Sequence, residues 1–136
     1  MPVRFELFEK DRFVECHWIG TLTQQDVFEA YAAFFRGRSW SPLWPESEPV
    51  WRELANLSLL EAPISEAGWA IEQASFFQRE YERAGLNRAR VATLAPTDLS
   101  YGMSRIYEQS TKGELPEKLR VFRTRTDALE WLLQSD

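Results

Sequence analysis

Cysteine and histidine occur once each in the 136 residues, side by side as Cys16 and His17. A lone thiol forms no internal disulfide, and one thiol with one imidazole makes no soft-ligand set for zinc. No apolar run approaches the roughly 18 residues that a membrane span needs. The opening residues MPVRFELFEKDRF hold neither an apolar signal core nor a small-residue cleavage site. A cytoplasmic protein is expected, with no membrane span. Positive charge is also in deficit, 16 Lys and Arg against 21 Asp and Glu, for a net charge of −5. Binding by phosphate neutralisation needs a basic face, so nucleic acid is not an expected partner. The spacings G-x-G-x-x-G, the P-loop and G-x-S-x-G are absent, which removes the fingerprints of nucleotide binding and of α/β-hydrolase chemistry. Neither a cofactor nor a metal is expected.

Large rings are plentiful instead: six Trp, nine Phe and four Tyr. At this length roughly two thirds of the unfolded chain's surface can be buried, so residues 1–136 read as a single domain. Val3, Phe5 and Leu7 alternate along VRFELF, and RFVECHWI resumes at 12–19 after Glu9-Lys10-Asp11, which predicts a β-hairpin. Thr23 to Asp26 is a helix-start signal for a helix over 24–36 that stops near Gly37. The short apolar stretch at 54–57 predicts a strand. Ser65 then stands as the N-cap of a long helix over 65–84, ending at Gly85, whose apolar side is Ala67, Ala70, Ile71, Ala74, Phe77 and Tyr81.

RVATLA at 90–95 has the pattern of a buried strand, and Pro96-Thr97-Asp98 opens a helix bounded by Gly113 and Pro116. KLRVFRT supplies the last strand, and Thr124 caps a closing helix carrying Ala128, Leu129, Leu132 and Leu133. The order ββαβαβαβα predicts an α/β fold, a mixed and mainly parallel sheet with helices on both faces.

Few residues stand out as candidates for chemistry. Cys16 and His17 are neighbours on a strand and point to opposite faces, which keeps them apart as nucleophile and base. The carboxylates show no metal-loop spacing. Aromatics carry the sharper signal. Trp69 and Phe76 lie seven residues apart, opposite the Ala67/Ile71/Ala74 stripe, so a stripe that faces the sheet turns both rings outward among Glu72, Gln73 and Glu80. Tyr101 is likewise off its helix's apolar stripe. Residues 37–51, GRSWSPLWPESEPVW, hold three tryptophans and three prolines between a helix and a strand. Either Trp40 and Trp44 fold back to close an edge of the core, or they join the Trp69/Phe76 surface in binding a partner or an apolar ligand. A crevice for a ligand is a further option at Pro96-Thr97-Asp98, where the helix start follows a parallel strand and Asp98 caps the free amides.

The last third, RVATLAPTDLSYGMSRIYEQ followed by LRVFRTRTDALEWLL, resembles the ending of the small bacterial proteins of the SpoIIAA-like, STAS/SEC14-like family. Gly20-Thr21-Leu22-Thr23 and Trp51-Arg52-Glu53-Leu54 match more weakly. The resemblance implies a SpoIIAA/STAS-like domain that works by binding. In STAS regulators a phosphorylated Ser or Thr near the helix after the third strand switches the partner. The positions here are Ser58 and Ser65, without the acidic residue and Ser-Gly that accompany such a site. The expectation is thus a non-catalytic module acting through protein–protein contact, as a homodimer through Trp69 and Phe76. The alternative is a carrier or sensor of a lipid-like apolar ligand.

Overall fold

Six alternating residues, a turn around Arg12 in the left-handed region (φ 57°) and eight more strand residues open the chain. These are β1 (Val3–Phe8) and β2 (Phe13–Gly20), antiparallel with Phe5 opposite Cys16. The computed structural model describes residues 2–41, 50–111 and 117–134. Beyond the hairpin follow α1 (Gln24–Gly37), β3 (Val50–Leu60), α2 (Trp69–Ala84), β4 (Arg88–Leu94), α3 (Asp98–Thr111), β5 (Glu117–Phe122) and α4 (Arg125–Leu132). The predicted order of elements is the observed one. Gly113 and Pro116, set as the end of α3, lie outside the described residues.

The sheet runs β1-β2-β3-β4-β5, with every pair after the first parallel. Each strand therefore sits beside the next in sequence. Crossovers of one hand that always step in one direction carry their helices over the same face. Accordingly α1, α2 and α3 line up on one side, where Val14, Cys16 and Trp18 of β2 and Trp51 and Ala55 of β3 meet Tyr31, Phe35, Phe77 and Tyr81. Among the described residues only α4 covers the other side, placing Ala128 and Leu132 on Phe13, Leu54, Ala92 and Leu94. Eight residues of helix leave much of that face to polar side chains.

Local signals explain most boundaries. Thr23 and Asp26 form a reciprocal capping box at the start of α1. Gly85 closes α2 in the left-handed region at φ 77°, and the Leu86 amide bonds back to Tyr81 O at 2.8 Å. The other end of α2 differs from expectation. Ser65 caps nothing: the helix begins at Trp69 after Gly68, which turns the chain at φ 72° and offers no side-chain cap. Glu66 serves α1 instead, its Oε1 accepting the Gln24 amide at 3.0 Å. That backbone amide holds the exposed Glu66 carboxyl below its ordinary pKa.

The phase of α2 also differs. Ala70, Ala74, Phe77 and Tyr81 face inward as expected, but Ala67 is exposed and Ile71 is 67% exposed, while Phe76, Gln73 and Glu80 are buried. Lying between α1 and α3, this helix buries a wider arc than a helix on an open face. Phe76, about 120° round from Ala70, meets Phe28 of α1 in a stack with centroids 4.3 Å apart. Ile71 falls on the uncovered side of the same arc.

Candidate functional site

Between α2, α3 and the sheet lies a cavity of about 40 Å³. Strand residues Trp18, Glu53, Thr93 and Leu119 form its floor, and Trp69, Gln73, Met103, Ser104 and Tyr107 form its roof. Trp69 and Leu119 are the two lining residues that are not fully buried, so they mark the way in. The Trp69 ring lies over Tyr107, with centroids 6.1 Å apart and planes 18° from parallel. The wall is mainly apolar, but Gln73 Oε1 and Ser104 Oγ are buried and accept no hydrogen bond among the described residues. An oxygen in that position costs about 1–3 kcal/mol unless a donor reaches it.

Glu53 joins this cavity to the core behind it. Its side chain is buried, and its oxygens accept from Tyr31 OH at 2.7 Å and from Trp51 Nε1 at 2.9 Å. Tyr31 OH also accepts from Trp18 Nε1 at 3.0 Å. Burial raises the Glu53 pKa by more than these hydrogen bonds lower it. Cys16, fully buried in the same place, has its thiol pushed well up by burial and by the Glu53 charge.

A second polar group sits on the face that α4 only partly covers. Glu15, buried beneath it, receives both arms of Arg125 at 2.7 and 2.8 Å and Asn56 Nδ2 at 2.8 Å. Burial would raise the Glu15 pKa, but the hydrogen bonds and charge of Arg125, with Asn56 and His17, outweigh it and hold the carboxyl below its usual range. His17 Nε2 stands 3.2 Å from Glu6 Oε1 and 3.5 Å from Glu15 Oε2. Hairpin pairing thus brings together a carboxylate–imidazole group that sequence spacing does not reveal. Its potential ligand atoms lie within 4.8 Å of one another, as a metal would need. Arg125, however, already supplies the counter-charge and takes both Glu15 oxygens, and a cation would have to displace it.

No protein-family model matches the chain, and no curated protein does. Among solved structures it is similar to an uncharacterised protein of the DUF3478 family, with a SpoIIAA-like fold, from Shewanella loihica PV-4. The TM-score is 0.58 at 20% identity, over 96% of this chain and 91% of that one. The fold is SpoIIAA-like. Five strands wound in one direction carry the expected resemblance at the level of architecture.

Within this SpoIIAA-like frame the singled-out residues separate. Trp69 is partly buried and lines the cavity, whereas Phe76, only 8% exposed, packs into the α1/α2 core. The outward pair expected on α2 is therefore not a surface patch, because α1 and α3 flank that helix. Trp40 is 3% exposed, with its ring edge-on to Trp51 at 5.7 Å and its Nε1 donating to Phe35 O at 3.2 Å, so it closes the core. Trp44 lies outside the described residues. Tyr101 is half-buried under the Arg123 guanidinium, 4.3 Å from the ring centroid, away from the cavity lining.

Ser58 and Ser65 are exposed, and neither begins a helix. At Pro96-Thr97-Asp98, Thr97 Oγ1 takes the Ser100 amide at 3.0 Å, while Asp98 turns outward to Arg123 at 2.9 Å. The expected role of Asp98 as cap falls to Thr97. A strand order that never reverses also offers no switch-point crevice beside this helix start.

The candidate side chains not singled out as site residues at the sequence level are Gln73, Ser104, Glu53 and the Glu15–Arg125 pair. Glu15 and Glu53 did leave a trace, each being a charged residue within an apolar strand, where charge is rarely buried without a partner. Arg125, 110 residues from Glu15, left none.

Proposed function

We propose that this SpoIIAA-like domain is a non-catalytic binding module whose ligand is a small apolar molecule held between α2, α3 and the sheet. The observation that carries this reading is the cavity itself, walled by Trp18, Phe77, Met103 and Leu119 and entered beside Trp69. Most ligand sites share this composition, an apolar wall with a few convergent polar atoms. Binding rather than catalysis suits the reactive groups: Cys16 is buried with its thiol pKa raised, and His17 is on the opposite face of the sheet.

Native mass spectrometry of gently purified protein, paired with tryptophan fluorescence and thermal unfolding under added toluene, tests the reading. A retained apolar species, or a toluene-dependent rise in midpoint with altered Trp18 and Trp69 emission, is expected. Protein that carries nothing and responds to no apolar probe overturns it.

A second reading, contact with a protein partner or a second copy of the chain, is favoured by Ile71 and Ile106, 67% and 54% exposed on α2 and α3. Such a contact uses the outer side of α2 rather than the Trp69/Phe76 side. Ile71→Glu should then lower the mass of the assembly in solution and leave the fold intact; an unchanged mass counts against it.

A further inference from the structure

The chemistry of the wall narrows the occupant, on the reading that the cavity is a binding site. Two residues of the wall, Gln73 and Ser104, each 5% exposed, carry a buried oxygen, Oε1 and Oγ, with no hydrogen-bond partner among the described residues. Both oxygens can accept a hydrogen bond, Gln73 Oε1 only that, while the Ser104 hydroxyl can also donate one. Glu53 is the less available acceptor, since each of its oxygens already takes one hydrogen bond, from Tyr31 and from Trp51. An anion would face that carboxyl, and either kind of ion would give up its hydration to a mainly apolar wall, so a neutral ligand fits it better. The remaining surface, from Trp18, Trp69, Phe77, Met103 and Leu119, suits an apolar body.

We propose that the cavity takes a small, neutral, largely apolar molecule bearing one hydroxyl or amino donor, which the free oxygens of Gln73 and Ser104 receive. At about 40 Å³ the space is well below the roughly 150 Å³ that holds a benzene ring. Entry therefore widens it, and Trp69 and Leu119, the partly exposed wall residues, are the side chains that yield. The Trp69 indole is consequently the natural reporter.

Phenol and toluene, similar in ring and size but different in having a donor, separate the possibilities. Each is titrated into wild-type protein, Gln73→Met and Ser104→Ala, following the indole N–H signals of Trp18 and Trp69 by NMR. The ratio of phenol to toluene affinity should fall about three- to tenfold in each variant, the worth of one hydrogen bond. Ser104→Ala removes a single oxygen and keeps the comparison valid if Gln73→Met fails to fold. Anisole, which has the oxygen but no proton, should bind wild type more weakly than phenol. If both ligands bind with an unchanged ratio in all three proteins, the donor inference is wrong and the binding-site reading survives. If neither ligand perturbs wild type, both fall together.

Discussion

At the scale of single residues, two buried carboxyls dominate and respond to pH in opposite directions. Glu15 has its pKa held below the ordinary 4.5 in the folded protein, chiefly because the Arg125 contacts outweigh burial. Its contribution is therefore present above pH 4.5 and is lost as pH falls through the folded value. Glu53 has a folded pKa above 4.5 because burial dominates. Its contribution is full below 4.5 and declines as pH rises toward the folded value. Glu15→Gln should cost about 1.5–3 kcal/mol at pH 7, the range for a hydrogen bond to a charged group, and less in acid. Glu53→Gln should flatten the decline in stability above pH 4.5. Urea denaturation of both variants at pH 4 and pH 7 checks the signs; the same trend in both would refute this assignment.

At the scale of elements, the test lies in the phase of α2. Alternation and helical spacing predicted every element, because strands and helices expose their period directly. The rotation of a helix about its axis depends on how many neighbours it has. For α2 the stripe through Ala70, Ala74, Phe77 and Tyr81 was legible, yet the covering of Phe76 by Phe28 was not. Phe76→Ala should cost about 3–5 kcal/mol as a core cavity, whereas Ile71→Ala should stay within about 0.5 kcal/mol. Chemical denaturation distinguishes them, and equal costs would mean that the buried arc is wrong. The start of α2 was misread for a related reason. Ser65 and Glu66 look like a helix start in sequence, but Glu66 is used by the neighbouring α1.

For the whole molecule, the unidirectional strand order explains both candidate features. Among the described residues, three helices on one face leave the α2/α3 seam over the sheet in which the cavity sits, and α4 on the other leaves room for Glu15, His17 and Arg125. Hydrogen exchange should be slowest in β3, paired on both sides and buried at Trp51 and Leu54, and faster in the edge strands β1 and β5. Protection in β1 matching that in β3 would contradict this layering. Composition and periodicity by themselves determined the elements, their order and the mainly parallel sheet, because these depend on contacts close in the chain and on the handedness of crossovers. Only the tertiary structure decided which side chains come together across long separations: Gln73 and Ser104 on the wall of one cavity, Glu15 with Arg125 beneath α4, and Phe76 with Phe28. Those meetings follow from how helices settle on a sheet and on each other, and no local spacing encodes that.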